Sequence, residues 1–212
     1  MNRNRCRILF AKTEAMRFTG HLDLQRAWER LLRRAKVPVA YSAGFHPRPK
    51  IQIGAALPLG ITGENELVDI ETSVECDAGE MAGRLNEHAP PGIRVVRVDP
   101  LAEGSPGLEK IIAAGDYSAK PLDGSWPEDL PLRIERLLSS ATLPRQRRGK
   151  AYDLRPRILS LALEGNTLRM RLSLLPEATG RPDEVLAALG ADNVVVDVRR
   201  ERLILRSPDD KP

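Results

Sequence analysis

The order in which two hydrophobic periods alternate predicts an α+β chain made of two halves on one plan. Three observations carry this. Strand-like alternation flanks amphipathic helical stretches; the order strand, helix, strand, strand, helix, strand is read twice; and turn formers concentrate at residues 99–108. A βαββαβ order is that of the ferredoxin-like split βαβ, a helix pair on an antiparallel sheet. The sequence therefore predicts two tandem ferredoxin-like domains, residues 1–103 and 108–207, and a length of 212 residues accommodates two domains of ordinary size.

In the first half, residues 5–18 open with Cys6, Ile8 and Phe10 alternating against Arg5, Arg7 and Leu9, as in a half-buried strand. After Gly20 the period changes. Leu24, Ala27, Trp28, Leu31, Leu32 and Ala35 follow the three-and-four spacing of a helix, with Asp23 favouring its start and Pro38 marking its end. Residues 50–54 and 66–71 read as strands paired as a hairpin, the link 59–65 being rich in turn formers. Residues 78–88 read as a helix with Met81, Ala82 and Leu85 on its apolar side, and residues 93–98 as the fourth strand.

In the second half, residues 110–119 read as a strand and 127–139 as a helix with Leu130, Ile134, Leu137 and Leu138 on one face. Residues 158–164 and 167–174 are strands joined at Gly165-Asn166, whose chemistry suits a hairpin turn. Pro182-Asp183-Glu184 starts a helix that Gly190 closes, and residues 194–198 and 202–205 are extended.

Composition narrows the function classes. No run of about 18 apolar residues could cross a bilayer, and the basic N-terminus lacks the apolar core of a secretory signal, so a cytoplasmic protein is expected. Cys6 and Cys76, 70 positions apart, match no disulfide framework, zinc spacing or iron–sulfur cluster. No Walker loop, Gly-x-Ser-x-Gly elbow or His-Glu-x-x-His helix is present, and no cofactor or metal is expected. The net charge of +4 is uneven: residues 1–50 carry 12 Lys and Arg against 3 Asp and Glu, whereas residues 51–100 carry 3 against 9. A basic face meeting an anionic partner is one reading, and solvated surface charge is the other.

Three places concentrate candidate contacts. On the first helix, Arg26, Arg30, Arg33 and Arg34 are three to four positions apart and share its polar side, where an exposed face is normally charged. In the Gly44–Pro49 interruption, Phe45, His46, Arg48 and the following Lys50 combine an aromatic face, an imidazole and cations, a mixture suited to an RNA base and its phosphate, or equally to a rigid connector with Phe45 in the core. In residues 143–157, Arg145, Arg147, Arg148 and Lys150 lack hydrophobic rhythm and look like an exposed loop, with Tyr152 and Arg155 able to add stacking and a forked phosphate contact. Among the histidines, His88 ends a helix and suits its C-terminal carbonyls. His21 at a helix start and His46 in the loop are the candidates for proton transfer, each with a purely structural alternative.

Residues 17–71 strongly resemble the N-terminal half of the radical-SAM-associated protein family, a domain of unknown function. The features are the HLDL helix start, the S-x-G-F-x-P-x-P-K loop, the A-L-P-L-G strand end and the acidic D-I-E strand. YDLRPRILSL at 152–161 and RPDEVLAALG at 181–190 are similar to its later blocks. Its members are encoded beside, or fused to, a cobalamin-binding radical SAM enzyme, which the resemblance implies as partner. It carries no catalytic site over. The predicted architecture is also similar to that of CRISPR repeat-RNA endonucleases, but residues 192–205 hold no glycine, so their glycine-rich loop is missing.

The expected function is a non-catalytic accessory module that binds RNA for the radical SAM partner. The competing expectations are a metal-independent RNA endonuclease, with His21 or His46 as general base and Lys50 steadying the phosphorane charge, and a scaffold whose basic face docks on an acidic partner.

Overall fold

The computed structural model describes residues 4–75, 77–147 and 149–206, so the expectations for Cys76, Arg148 and residue 207 lie outside the described residues. The chain is a mixed α+β protein with largely antiparallel strand pairing and five α-helices among the described residues. It divides into two units, Met1–Ile112 and Ala113–Pro212. None of these helices is long and apolar enough to cross a membrane.

In the first unit, β1 (Asn4–Lys12) buries Cys6, Ile8 and Phe10 on one face. It is followed by a 3-10 turn (Glu14–Met16) and α1 (His21–Arg34), then β2 (Ile51–Ile53), β3 (Ile61–Thr72), α2 (Ala78–His88) and β4 (Ile93–Leu101). The sheet order is β4-β1-β3-β2, every pairing antiparallel. Both helices cover the Ile8–Phe10 face: Leu24, Trp28, Leu31 and Leu32 of α1 and Met81 and Leu85 of α2 join one core. At its centre the Trp28 and Phe10 rings meet edge-on, 4.9 Å apart and 77° between planes.

Local chemistry fixes the helix ends. Asp77 caps α2 by accepting the Glu80 amide at 2.7 Å, and His88 Nδ1 lies 3.0 Å from the Arg84 carbonyl at the other end. α1 closes in a Schellman turn, in which Val37 N donates to Leu32 O and Lys36 N to Arg33 O, with Lys36 at φ 53° where glycine is usual. On the opposite sheet face, Asp69 is only 4% exposed and accepts from Arg7 at 2.8 and 2.9 Å and from Arg5 at 3.0 Å.

In the second unit, β5 (Ile112–Pro121) is followed by α4 (Leu130–Ser139), a hairpin of β6 (Pro144–Arg147) and β7 (Lys150–Asp153), then β8 (Ile158–Glu164), β9 (Thr167–Ser173), α5 (Pro182–Ala188) and β10 (Val196–Leu205). Its sheet order is β10-β5-β9-β8. Leu130, Ile134 and Leu137 of α4 and Val185 and Leu186 of α5 are buried, as are Tyr117, Leu168, Met170 and Leu172 of the strands. Trp126 Nε1 donates to Asn166 O at 3.2 Å and fastens the approach to α4 onto the β8–β9 turn.

Several elements differ from the sequence-based expectations. β3 begins at Ile61 and not at residue 66, because Gly63 pairs with Lys12 and the strand extends along β1; the turn lies earlier, at Leu59-Gly60. Residues 108–111 form a short helix, α3 (Leu108–Ile111), ahead of β5. The loop between β4 and α3 belongs to the first unit, where Arg5 donates to Ser105 O and Arg7 to Pro106 O. The polar interruption at 199–201 does not break β10: Arg200 is fully buried and reaches the Tyr117 hydroxyl at 3.3 Å.

Candidate functional site

The basic run expected as a loop is a β-ribbon. Pairing sets Arg145 opposite Tyr152 and Arg147 opposite Lys150, so these four side chains share one face. Gly149, at φ 77°, makes the tight turn that a side chain would strain. The ribbon has little apolar burial, and its base is held by polar ties. Leu154 N donates to Leu143 O at 2.9 Å, and Asp153 Oδ1 accepts the amides of Leu143 (2.7 Å) and Arg155 (2.9 Å), which hold its carboxyl below the usual range. Leu154 anchors this base in the core.

The ribbon face closes a cleft of about 520 Å³ lined by Arg147, Lys150, Tyr152, Arg157, Arg181 and Glu184, among others. Arg157 is held by Asp153 O (3.2 Å) and Thr179 O (2.9 Å), and its guanidinium carbon lies 4.2 Å from the Tyr152 ring centroid. Glu184 lies beside the Tyr152 hydroxyl, and burial first, then that carboxylate, pushes the phenol up to about 12. Arg147 Nε lies 4.0 Å from Glu184, and Arg181 forks onto Asp183 at 3.0 and 3.1 Å. Four cations thus line a cleft of ligand size whose lining holds one carboxylate, Glu184, with Asp183 pairing Arg181 from outside it. The arrangement suits an oxyanion: Arg157 and Arg181 are fixed, while Arg147 and Lys150 close from the ribbon.

Arg155 has a different task. Its guanidinium donates to Leu138 O at 3.2 and 3.0 Å and to Ile158 O at 3.0 Å, tying the end of α4 to the start of β8. Arg145 is half-buried, with Nε unpartnered among the described residues.

In the first unit, residues 40–50 form a closed loop. Ser42 N donates to Arg48 O (2.8 Å), Arg48 N to Ser42 Oγ (3.0 Å) and Lys50 N to Ala40 O (2.9 Å), and Tyr41 bridges Pro49. The tip carries Phe45, 103% exposed, with His46 and Arg48 also exposed. Phe45 therefore fills no core. Lys50 does not project with them, because β2–β3 pairing brings Glu71 to 2.7 Å from its ammonium. On α1, Arg26 pairs with Asp23 at 3.2 Å, while Arg30, Arg33 and Arg34 are exposed and have no ion-pair partner among the described residues. His21 is the first residue of α1, half-buried with Nδ1 unpartnered, whereas His46 sits at the loop tip.

Sequence reasoning grouped Arg147, Lys150 and Tyr152 correctly in space but missed Arg157, Arg181 and Glu184. Arg157 carried a weak signal as the last residue of the basic run. Arg181 and Glu184 looked like helix-start residues, and only the return of the chain after β9 brings them to the ribbon.

No curated protein matches the chain. Among solved structures, it is similar to an unknown protein from Galdieria sulphuraria, with 12% identity, coverage of 97% of this chain and 100% of that one, and a TM-score of 0.31. A family model described as "Uncharacterized protein conserved in bacteria (DUF2344)" matches residues 5–182, most of the chain. The protein therefore belongs to the DUF2344 family.

Proposed function

We propose that this chain is a non-catalytic RNA-binding module of two tandem ferredoxin-like units, working in the cytoplasm beside a cobalamin-binding radical SAM enzyme. The βαββαβ order of the first unit, and of the second once the β6–β7 ribbon after α4 is set aside as an insertion, with strand orders β4-β1-β3-β2 and β10-β5-β9-β8, supports the fold reading. The partner rests on the resemblance of residues 17–71.

The observation that carries the RNA reading is the second unit's cleft, lined by Arg147, Lys150, Arg157 and Arg181 with Glu184 as its one lining carboxylate, while Asp183 pairs with Arg181 outside the lining. Cations in this number suit phosphodiesters. The exposed Phe45, with Arg48 three residues on, supports it independently as a stacking surface for an unpaired base. Binding fits these residues better than hydrolysis, because a general base needs an orienting partner and His46 has none among the described residues.

The test is crosslinking in cells followed by sequencing of the attached RNA. Enrichment of a defined RNA class, lost on Arg147→Glu with Lys150→Glu, is expected. Recovery of the radical SAM partner without RNA, insensitive to RNase and lost at high salt, would replace the RNA reading with scaffolding. RNA cleaved without metal and protected by His46→Ala or His21→Ala would replace it with the nuclease.

A further inference from the structure

Most arginines in the first unit are matched to acids. Arg5 and Arg7 pair with Asp69, Arg17 with Glu14, Arg26 with Asp23, Arg84 with Glu80, Arg94 with Glu64 and Arg97 with Asp99. Among the described residues of this unit, four arginines lack such a partner. Arg48 is on the exposed loop, and the other three, Arg30, Arg33 and Arg34, line one pocket of about 380 Å³. No carboxylate lines it. The acid nearest in sequence, Glu29, accepts from Gln25 at 3.4 Å and lines a neighbouring groove to which Arg33 also contributes, outside the pocket.

The rest of the pocket is apolar: Met16, Ala27 and Pro90. This floor is held in place. Met16 ends the 3-10 turn, Thr19 N donates to its carbonyl at 2.8 Å, and Thr13 N donates to Gly92 O at 2.9 Å. Gly92, at φ 100°, admits Met16 so closely that a Cβ there would meet the Met16 Cγ at 2.5 Å. The negative end of the α1 dipole explains basic residues in its last turn. It does not explain three guanidinium groups around one apolar floor, where like charges at i, i+3 and i+4 repel. A dianion between them removes that repulsion, and guanidinium forks match its oxygens.

We propose that this pocket is a phosphomonoester site: Arg30, Arg33 and Arg34 hold the phosphate oxygens, and Met16, Ala27 and Pro90 seat the sugar or base face behind them. The pocket is of mononucleotide size, at the small end of ligand sites. The phosphate can belong to a free nucleotide or to the 5′ end of an RNA, and the assignment stands without the RNA reading of the second unit.

Calorimetry on the full chain at low ionic strength tests it with AMP, adenosine, and 5′-phosphorylated and 5′-hydroxyl oligoribonucleotides of one sequence. AMP binds and adenosine does not, and Arg33→Ala with Arg34→Ala weakens AMP by about a hundredfold, roughly tenfold per charged hydrogen-bond partner. Arg33→Lys, which keeps charge but loses the fork, gives a smaller loss, and Arg84→Ala on α2 gives none. A 5′-phosphorylated oligomer that outbinds both AMP and its hydroxyl counterpart assigns the site to RNA ends, and AMP binding at least as well assigns it to free nucleotides. AMP binding without any RNA retention would sink only the RNA reading. The site is overturned if AMP binds no better than adenosine, if the double alanine variant keeps its helical circular dichroism and full affinity, or if Arg147→Glu with Lys150→Glu abolishes AMP binding.

Discussion

Arg157 sits over the Tyr152 ring at 4.2 Å, with Glu184 lining the same cleft, so one aromatic side chain lies where the β6–β7 ribbon, the 3-10 turn (Arg155–Arg157) and α5 meet. The ribbon's basic face is thereby aimed by contacts that leave Lys150 at its rim. Binding geometry in the cleft depends on this junction.

The junction has a pH signature. Burial first, then Glu184, disfavours the phenolate of Tyr152 and pushes it up from an ordinary 10 to about 12. A raised value contributes stability that is fully present below pH 10 and is lost as pH rises through about 12. Phenolate absorbance of the wild type minus that of Tyr152→Phe should show this transition, and Glu184→Gln should bring it down toward 10. A difference transition at the ordinary 10 in the wild type would contradict the raised value.

Asp69 holds two arginines in the first unit, with side-chain exposures of 20% for Arg5 and 14% for Arg7. Asp69→Asn leaves both cations half-buried and unneutralised. A loss of about 3 kcal/mol is expected, as for breaking a largely buried ion pair from one side. The denaturant midpoint at unchanged m-value measures it.

Asp116 accepts from Arg171 at 2.6 and 3.0 Å and from Arg202 at 2.8 Å, and these bonds, Arg171 first, hold its carboxyl below 3.8. A depressed value contributes stability above the unfolded pKa that is lost as pH falls through the folded one. Asp116→Asn should lower stability at neutral pH by no more than about 1 kcal/mol, since the arginines are well exposed. The difference from wild type should vanish below the folded pKa, as read from thermal midpoints across the acid range.

Lys36 sits in the left-handed region at the end of α1. Lys36→Gly should stabilise the chain by about 0.5–1 kcal/mol, because glycine takes that conformation without Cβ strain. A lowered thermal midpoint would mean that the Lys36 side chain contributes more than its strain.

The sequence made most of this fold legible where burial imposes a period. α1 and α2 were read from Leu24, Trp28, Leu31 and Met81, Leu85, because one helix face must meet the sheet. The β6–β7 ribbon was not, since strands held by backbone pairing and polar ties leave no hydrophobic alternation. β10 looked interrupted because Arg200 is polar, yet its buried guanidinium finds the Tyr117 hydroxyl. The cleft was half legible: Arg147, Lys150 and Tyr152 are local, whereas Arg181 and Glu184 arrive through tertiary folding. Lys50 was misjudged for a similar reason, since strand register alone delivers Glu71 to it.

The most direct test of the central claim is the salt dependence of single-stranded RNA affinity for wild type and for Arg147→Glu with Lys150→Glu. The cleft predicts that log affinity falls steeply with log salt, with a slope near −3 for about four phosphates neutralised. The variant should bind at least about tenfold more weakly, with a slope shallower by about 1.4. Equal affinity and equal slope in the two proteins would contradict an RNA site in the cleft.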